Sequence, residues 1–417
     1  MDGARLAVED REMNRASAAL AQRFTNVGHS LVHILTLLYP TVVIVLEKEW
    51  GRSYGELIGL MLAGQILFGL AALPAGWFAD RWSTVGMMAI YFLGTGAAAI
   101  GTGLATTPFE LAVGLAGIGF FAAIYHPVGM AWLVRTSLDR GRALGWNGMF
   151  GSIGVALGPL IAGALCQWWS WRAAFIVPGS ITVLLGLGLL LAWRLGWLIE
   201  APAVSISAPA APPRREMIRA FFLLSVTMTC GAMVYQSFSI MLPKLFADRL
   251  GDTSSLGAFG IGGLVGLVYL CAGAAMPISG WLADRFAMQR LYLASFTLQV
   301  PFLLLAAYLD SWPLLVVTII LVFIGTLGGP AENKMMAYYT PGRWQGTGYG
   351  AKFVLALGVS ASSIPLIAWM YEATGGFYWL FMLMGMLAIL AMIGAALLPT
   401  SDATTDAATP ARIVPAE

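Results

Sequence analysis

The sequence predicts an all-α membrane protein of twelve spanning helices, arranged as two pseudo-symmetric six-helix bundles. Three observations carry this. First, 59% of the 417 residues are hydrophobic and only 11% charged, with a mean hydropathy of +0.79. A water-soluble chain of this length needs far more charge to cover its surface. Second, apolar runs of roughly 20 residues, the length that crosses a bilayer core, recur along the whole chain. The short alternating segments of a β-barrel are absent. Third, Gly76-Trp77-Phe78-Ala79-Asp80-Arg81-Trp82 returns 204 positions later as Gly280-Trp281-Leu282-Ala283-Asp284-Arg285-Phe286. Each copy lies between long apolar runs with a proline just before it (Pro74, Pro277), so the chain reads as two similar halves.

Taken in order, residues 1–23 form a mixed-charge arm that is not a cleavable signal. The first bundle, 24–195, holds six predicted helices at about 24–46, 54–73, 85–105, 109–134, 143–167 and 172–193. The first motif copy follows helix 2. Residues 196–216 are rich in Pro, Ala and Ser and read as a linker between bundles. The second bundle, 217–399, repeats the plan at about 217–245, 256–279, 291–309, 313–336, 346–371 and 377–398, with the second motif copy after helix 8. Residues 400–417 are small and polar and read as a disordered tail. Ile118-Gly119 and Ile324-Gly325 also correspond, at an offset of 206.

Orientation follows from the basic residues. With both termini cytosolic, 16 of the 23 Lys and Arg fall on the cytosolic side, 5 in outer loops and 2 (Lys334, Lys352) within spans. Both ends are therefore expected in the cytosol and the protein in a bacterial inner membrane. Cys166, Cys230 and Cys271 lie in apolar runs without metal-ligand spacing and read as packing residues. Trp77, Trp82, Trp168, Trp169 and Trp171 gather at helix ends, as an interfacial belt does. No Gly-x-x-x-x-Gly-Lys-Ser/Thr loop is present, which argues against an ATP-driven pump.

The duplicated motif, the twelve helices and the central linker resemble the major facilitator superfamily over about residues 20–400. Gly76, Asp80 and Arg81, and again Gly280, Asp284 and Arg285, match its loop signature. Helix 5 carries Gly154, Gly158, Pro159 and Gly163, similar to the signature of drug/proton antiporters, with Ala162 in place of one glycine. Gly28-His29 and Tyr125-His126-Pro127 resemble the fosmidomycin-resistance-type exporters. The helix 4 arginine of the antiporters has no counterpart at Val113, Ala116 and Gly117, so its coupling role does not carry over. The resemblance implies a secondary transporter working by alternating access, with helices 1, 4, 7 and 10 lining the path. It also implies that Asp80 meets the start of helix 11, and Asp284 that of helix 5, when the cytosolic side is closed. A carboxylate at a helix N-terminus is favoured by the helix dipole.

Charges within a bilayer cost roughly 2.5–3.5 kcal/mol each on insertion scales and mark candidate sites. They are His29, His33, His126, Glu332, Lys334 and Lys352. His29 and His33 share one helix face. His126 and Glu332 are 206 apart, pseudo-symmetry mates in helices 4 and 10, and are expected to carry protonation-linked transport. Lys352 lies within reach of Glu332 as a coupling partner or anion site, whereas Lys334 is expected to snorkel to the cytosol. Tyr39, Tyr235 and Gln236 are expected to line a neutral outer half of the cavity. Two histidines at helical spacing supply too few ligands for a metal, and none is expected. The expected function is proton-coupled efflux of small, largely apolar molecules. Proton-coupled uptake of an organic anion is the alternative, and a non-transporting sensor or scaffold stands as another class. The expected partners are a small-molecule substrate, protons and the lipid bilayer. No organic cofactor, nucleic acid or second subunit is expected.

Overall fold

The computed structural model describes residues 2–137, 139–200, 213–250, 257–340, 352 and 354–399. The middle of the predicted linker, the residues from 400 on, residues 251–256 with the predicted start of helix 8, and the predicted start of helix 11 lie outside the described residues. So do the side chains of the first fourteen residues. Among the described residues there is no strand.

The spans are α1 (Arg15–Trp50), α2 (Tyr54–Arg81), α3 (Thr84–Gly103), α4 (Pro108–Thr136), α5 (Arg140–Trp168) and α6 (Trp171–Arg194) in the first half. The second half holds α7 (Arg214–Arg249), α8 (Gly257–Arg285), α9 (Met288–Ala306), α10 (Ser311–Tyr339), α11 (Val354–Thr374) and α12 (Tyr378–Ala396). All but α9 are long and apolar enough to cross a membrane. In α9, which is 19 residues long, Gln289, Arg290, Ser295 and Gln299 hold the hydropathy down.

Local chemistry sets the boundaries. Ser53 with Glu56 and Thr107 with Glu110 form capping boxes that open α2 and α4. Ser83, Asp139 and Ser170 accept hydrogen bonds from the first turns of α3, α5 and α6. Gly51 and Gly375 close α1 and α11 in the left-handed conformation. The helix that contains α1 begins at Asp2, so the expected arm continues directly into the first span.

Two sequence expectations are corrected. The duplicated motif is not a loop: Gly76 through Arg81 form the last turns of α2, and Gly280 through Arg285 those of α8. Nothing in Gly-Trp-Phe-Ala-Asp-Arg stops a helix, and the chain turns only where Ser83 caps α3. Trp171 is not in an interfacial belt. It is 1% exposed and its Nε1 donates to Glu49 Oε1 at 2.9 Å, while Trp77, Trp82, Trp168 and Trp169 are exposed.

The glycines of α5 serve packing on two sides. A Cβ at Gly154 would strike the Ser30 backbone of α1, and one at Gly163 the Ala258 carbonyl of α8. Across the same seam, a Cβ at Gly262 would strike the Pro159 carbonyl. Such close approach is what small residues allow between spanning helices. The two halves therefore meet along α5–α8 and α2–α11.

The apolar cores show how the halves are tilted. One cluster spans both halves and includes Tyr39, Leu46, Tyr54 and Phe175 from the first with Phe246, Phe377 and Phe381 from the second. It sits at the distal face. Toward the opposite, terminal face, which carries Asp2 and Pro399, the cores of the described residues separate. Phe92, Tyr125 and Trp132 belong to a first-half cluster and Tyr292, Met336 and Tyr339 to a second-half cluster. The conformation is closed at the distal face.

Candidate functional site

Two polar centres stand where helices lose regularity. In α4, residues Tyr125–Gly129 adopt a π-helical turn around Pro127, and such turns re-aim side chains at functional positions. The turn brings His126 against His29 and His33 of α1. Ring centroids lie 5.0 Å apart for His29–His33 and 5.5 Å for both pairs with His126. One nitrogen from each ring lies within 4.8 Å of the other two. His29 is buried and stacks on Tyr125 at 5.0 Å. Its Nδ1 lies 2.8 Å from the Asn147 carbonyl oxygen of α5. The Asn147 side chain donates to Asn26 Oδ1 and to the Tyr125 hydroxyl, so the wall behind the histidines is hydrogen-bonded.

In α10 the helix is reset at Gly328-Gly329-Pro330, and Glu332 falls in the first turn of the new segment Gly329–Tyr339. Lys352 Nζ lies 2.7 Å from Glu332 Oε1, with side chains 15% and 19% exposed. Tyr292 of α9 donates to Glu332 Oε2 at 3.0 Å, and Lys352 also donates to Asn333 Oδ1. Glu332 opens onto a cavity of about 300 Å³ between α7, α9, α10 and α11. Tyr235, Gln236, Tyr292, Ser295 and Gln299 supply its other polar groups, and Met228, Phe238, Phe296, Leu303 and Leu321 much of its apolar wall.

Of the expected site residues, Lys352 and Glu332 are together, and Tyr235 and Gln236 line the cavity. His126 and Glu332 fall into separate groupings, because the α4 turn aims His126 at α1 while the α10 reset aims Glu332 at α9 and α11. Tyr39 does not line this cavity but a small one of about 20 Å³ in the first half, with Thr36 and Gln65. It is 1% exposed in the distal core and donates to the Leu57 carbonyl at 2.6 Å.

The motif carboxylates pair within their own halves. Asp80 accepts from Arg135 at 2.7 Å, and Asp284 pairs with Lys334. Arg81 and Arg285 stack on Trp77 and Trp281. Lys334 therefore has a carboxylate partner rather than snorkelling alone. The expected α11 partner of Asp80 lies outside the described residues. For Asp284 the described partner is on α10, not α5, as the separated cores at this face require.

The model of the Major Facilitator Superfamily matches residues 31–269 and 258–416. The chain belongs to this superfamily. Similar proteins fall in several functional groups. It is 25% identical over 250 residues to the membrane sensor protein UhpC of Salmonella typhimurium strain LT2, covering 53% of this chain and 54% of that one. It is 28% identical over 279 residues to the gallate transporter of Pseudomonas putida, covering 58% and 60%. It is 24% identical over 369 residues to the D-galactonate transporter of Escherichia coli O6:H1, covering 77% and 81%. Against several curated relatives the chain spans about half of their length or less.

Within this superfamily member, sequence reasoning missed several polar residues. Tyr292, Asn333, Asn147 and Asn26 complete the two centres, and none of them is charged. At the distal face, Lys244 Nζ bridges the halves to Glu47 at 3.0 Å, with Asp248 at 3.3 Å. Glu372 accepts from the Gly55 backbone at 2.8 Å. The signal for this distal lock was present in the outer-loop charges, which served only to set orientation.

Proposed function

We propose that this transporter carries out proton-coupled uptake of an organic anion bearing a carboxylate. The protein would lie in a bacterial inner membrane with both termini cytosolic, as the basic-residue bias indicates. The observation that carries the reading is the Lys352–Glu332 pair at the cavity. An ammonium held by a carboxylate is a poor site for a second anion. Protonation of Glu332 removes that competitor and leaves Lys352 and the Tyr292 hydroxyl to bind a substrate carboxylate. One group thus links proton and anion occupancy, while a paired charge avoids the penalty of a lone one in the membrane. Similarity to the gallate and D-galactonate transporters supports a carboxylate substrate.

The apolar wall of Met228, Phe238, Phe296 and Leu303 favours a second reading, efflux of apolar organic molecules in exchange for protons. Proteoliposomes with an imposed pH gradient separate the readings. Uptake predicts that labelled sugar acids or aromatic carboxylates accumulate with the proton gradient and that Lys352→Ala abolishes this. Gradient-driven extrusion of neutral apolar compounds, with no carboxylate movement, would replace the uptake reading. Carboxylate binding without flux of either kind would point to a sensor.

A further inference from the structure

We propose that His29, His33 and His126 form a transition-metal site of three imidazoles between α1 and α4. Several observations converge. The three rings are the only histidines of the chain, and one nitrogen of each lies within 4.8 Å of the others. A tetrahedral ion with metal–nitrogen bonds of about 2.0–2.1 Å holds its nitrogens roughly 3.4 Å apart. The rings therefore close by about an ångström and a half at most. His33 and His126 are partly exposed, while His29 is buried and held by the Asn147 carbonyl.

The fixing is itself of the kind metal sites use. A ligating histidine commonly donates its second ring nitrogen to a carbonyl or carboxylate, which sets tautomer and orientation. His29 makes that bond from Nδ1 to the Asn147 carbonyl, which leaves Nε2 with its lone pair. Behind it, Asn147 is held by Asn26 and Tyr125, and Gly151 leaves space that a Cβ would take from the ring. The π-helical turn at Tyr125–Gly129 supplies the third ligand, which chain spacing alone cannot. Imidazole donors suit Zn²⁺, Co²⁺, Ni²⁺ and Cu²⁺. Three ligands leave a fourth position to water. An ion held there would fasten α1 to α4 within one half, apart from the Lys352–Glu332 centre in the other.

Titration of detergent-purified protein with Co²⁺ tests this without transport. The expected result is one equivalent per chain, with the ligand-field absorption of a tetrahedral nitrogen site, bleached by equimolar Zn²⁺. His33→Ala and His126→Gln should each weaken binding by at least about 100-fold, the upper end of losses seen when only a supporting residue is removed. The glutamine variant keeps a polar side chain of similar bulk, and unchanged thermal melting without metal shows that it folds. Lys352→Ala should bind Co²⁺ as wild type does. Absence of a stoichiometric site in the wild type, or tight binding that survives His126→Gln, overturns the proposal.

Discussion

Lys352 and Glu332 show at residue scale why intramembrane charges reward attention. Each would be costly alone, and together they are 15% and 19% exposed. Removing one should cost more than removing both, because the survivor is left without its partner. A double-mutant cycle of Lys352→Met and Glu332→Gln, read by chemical denaturation in mixed micelles, should give a coupling of about 1–3 kcal/mol. Tyr39 supplies the contrast. Its hydroxyl bonds a helix carbonyl deep in the distal core, so Tyr39→Phe should cost only about 0.5–1.5 kcal/mol. Substrate preference should not change, and a changed preference would return Tyr39 to the path. The histidines were legible as candidates because buried charge is rare. Their grouping was not, since it depends on a π-helical turn that no periodicity announces.

At the scale of the element, the α5 seam and the distal ion pair are places where the two halves meet. Gly163 and Gly262 allow α5 and α8 to approach until backbone meets side-chain-free backbone. Gly262→Leu inserts bulk with no space to receive it and should destabilise by about 1–3 kcal/mol. It should also slow transport more than Gly280→Leu, whose Cβ meets nothing within 4 Å. Equal transport rates in the two variants would remove the seam from the mechanism. The small-residue run in helix 5 was visible in sequence, but its partners were not, since packing across halves is a long-range fact. The ends of helices 2 and 8 were misplaced by about two turns because Asp and Arg read as a loop, whereas in a spanning helix they simply emerge at the interface. At the other face, Lys244 joins Glu47 across the halves. Lys244→Ala should raise the labelling of a cysteine placed near Tyr54 from the distal side, and unchanged labelling would show the aromatic cluster alone holds that face shut.

For the whole molecule, the twelve-helix plan and the two-half symmetry were written in the chain, because hydropathy and duplication are sequence properties. The conformation was not, because both states must be compatible with one sequence. Among the described residues, the continuous distal core and the divided cores at the terminal face fit one end of the alternating cycle that the proposed uptake needs. In this end state Asp80 and Asp284 bond within their own halves. The alternate state is expected to exchange these bonds for helix N-termini of the opposite half. Asp80→Asn should then favour the conformation seen here, and reagents applied from the terminal face should label cavity cysteines faster. A rate equal to wild type would deny the motif that role.

The central claim, that Glu332 links proton to anion, is tested most directly by comparing two fluxes in Glu332→Gln proteoliposomes. With a carboxylate substrate that the wild type accumulates, the variant should lose pH-driven accumulation and retain substrate exchange across equal pH, because a neutral side chain leaves Lys352 permanently able to bind. Accumulation that still follows the pH gradient in Glu332→Gln would contradict the account.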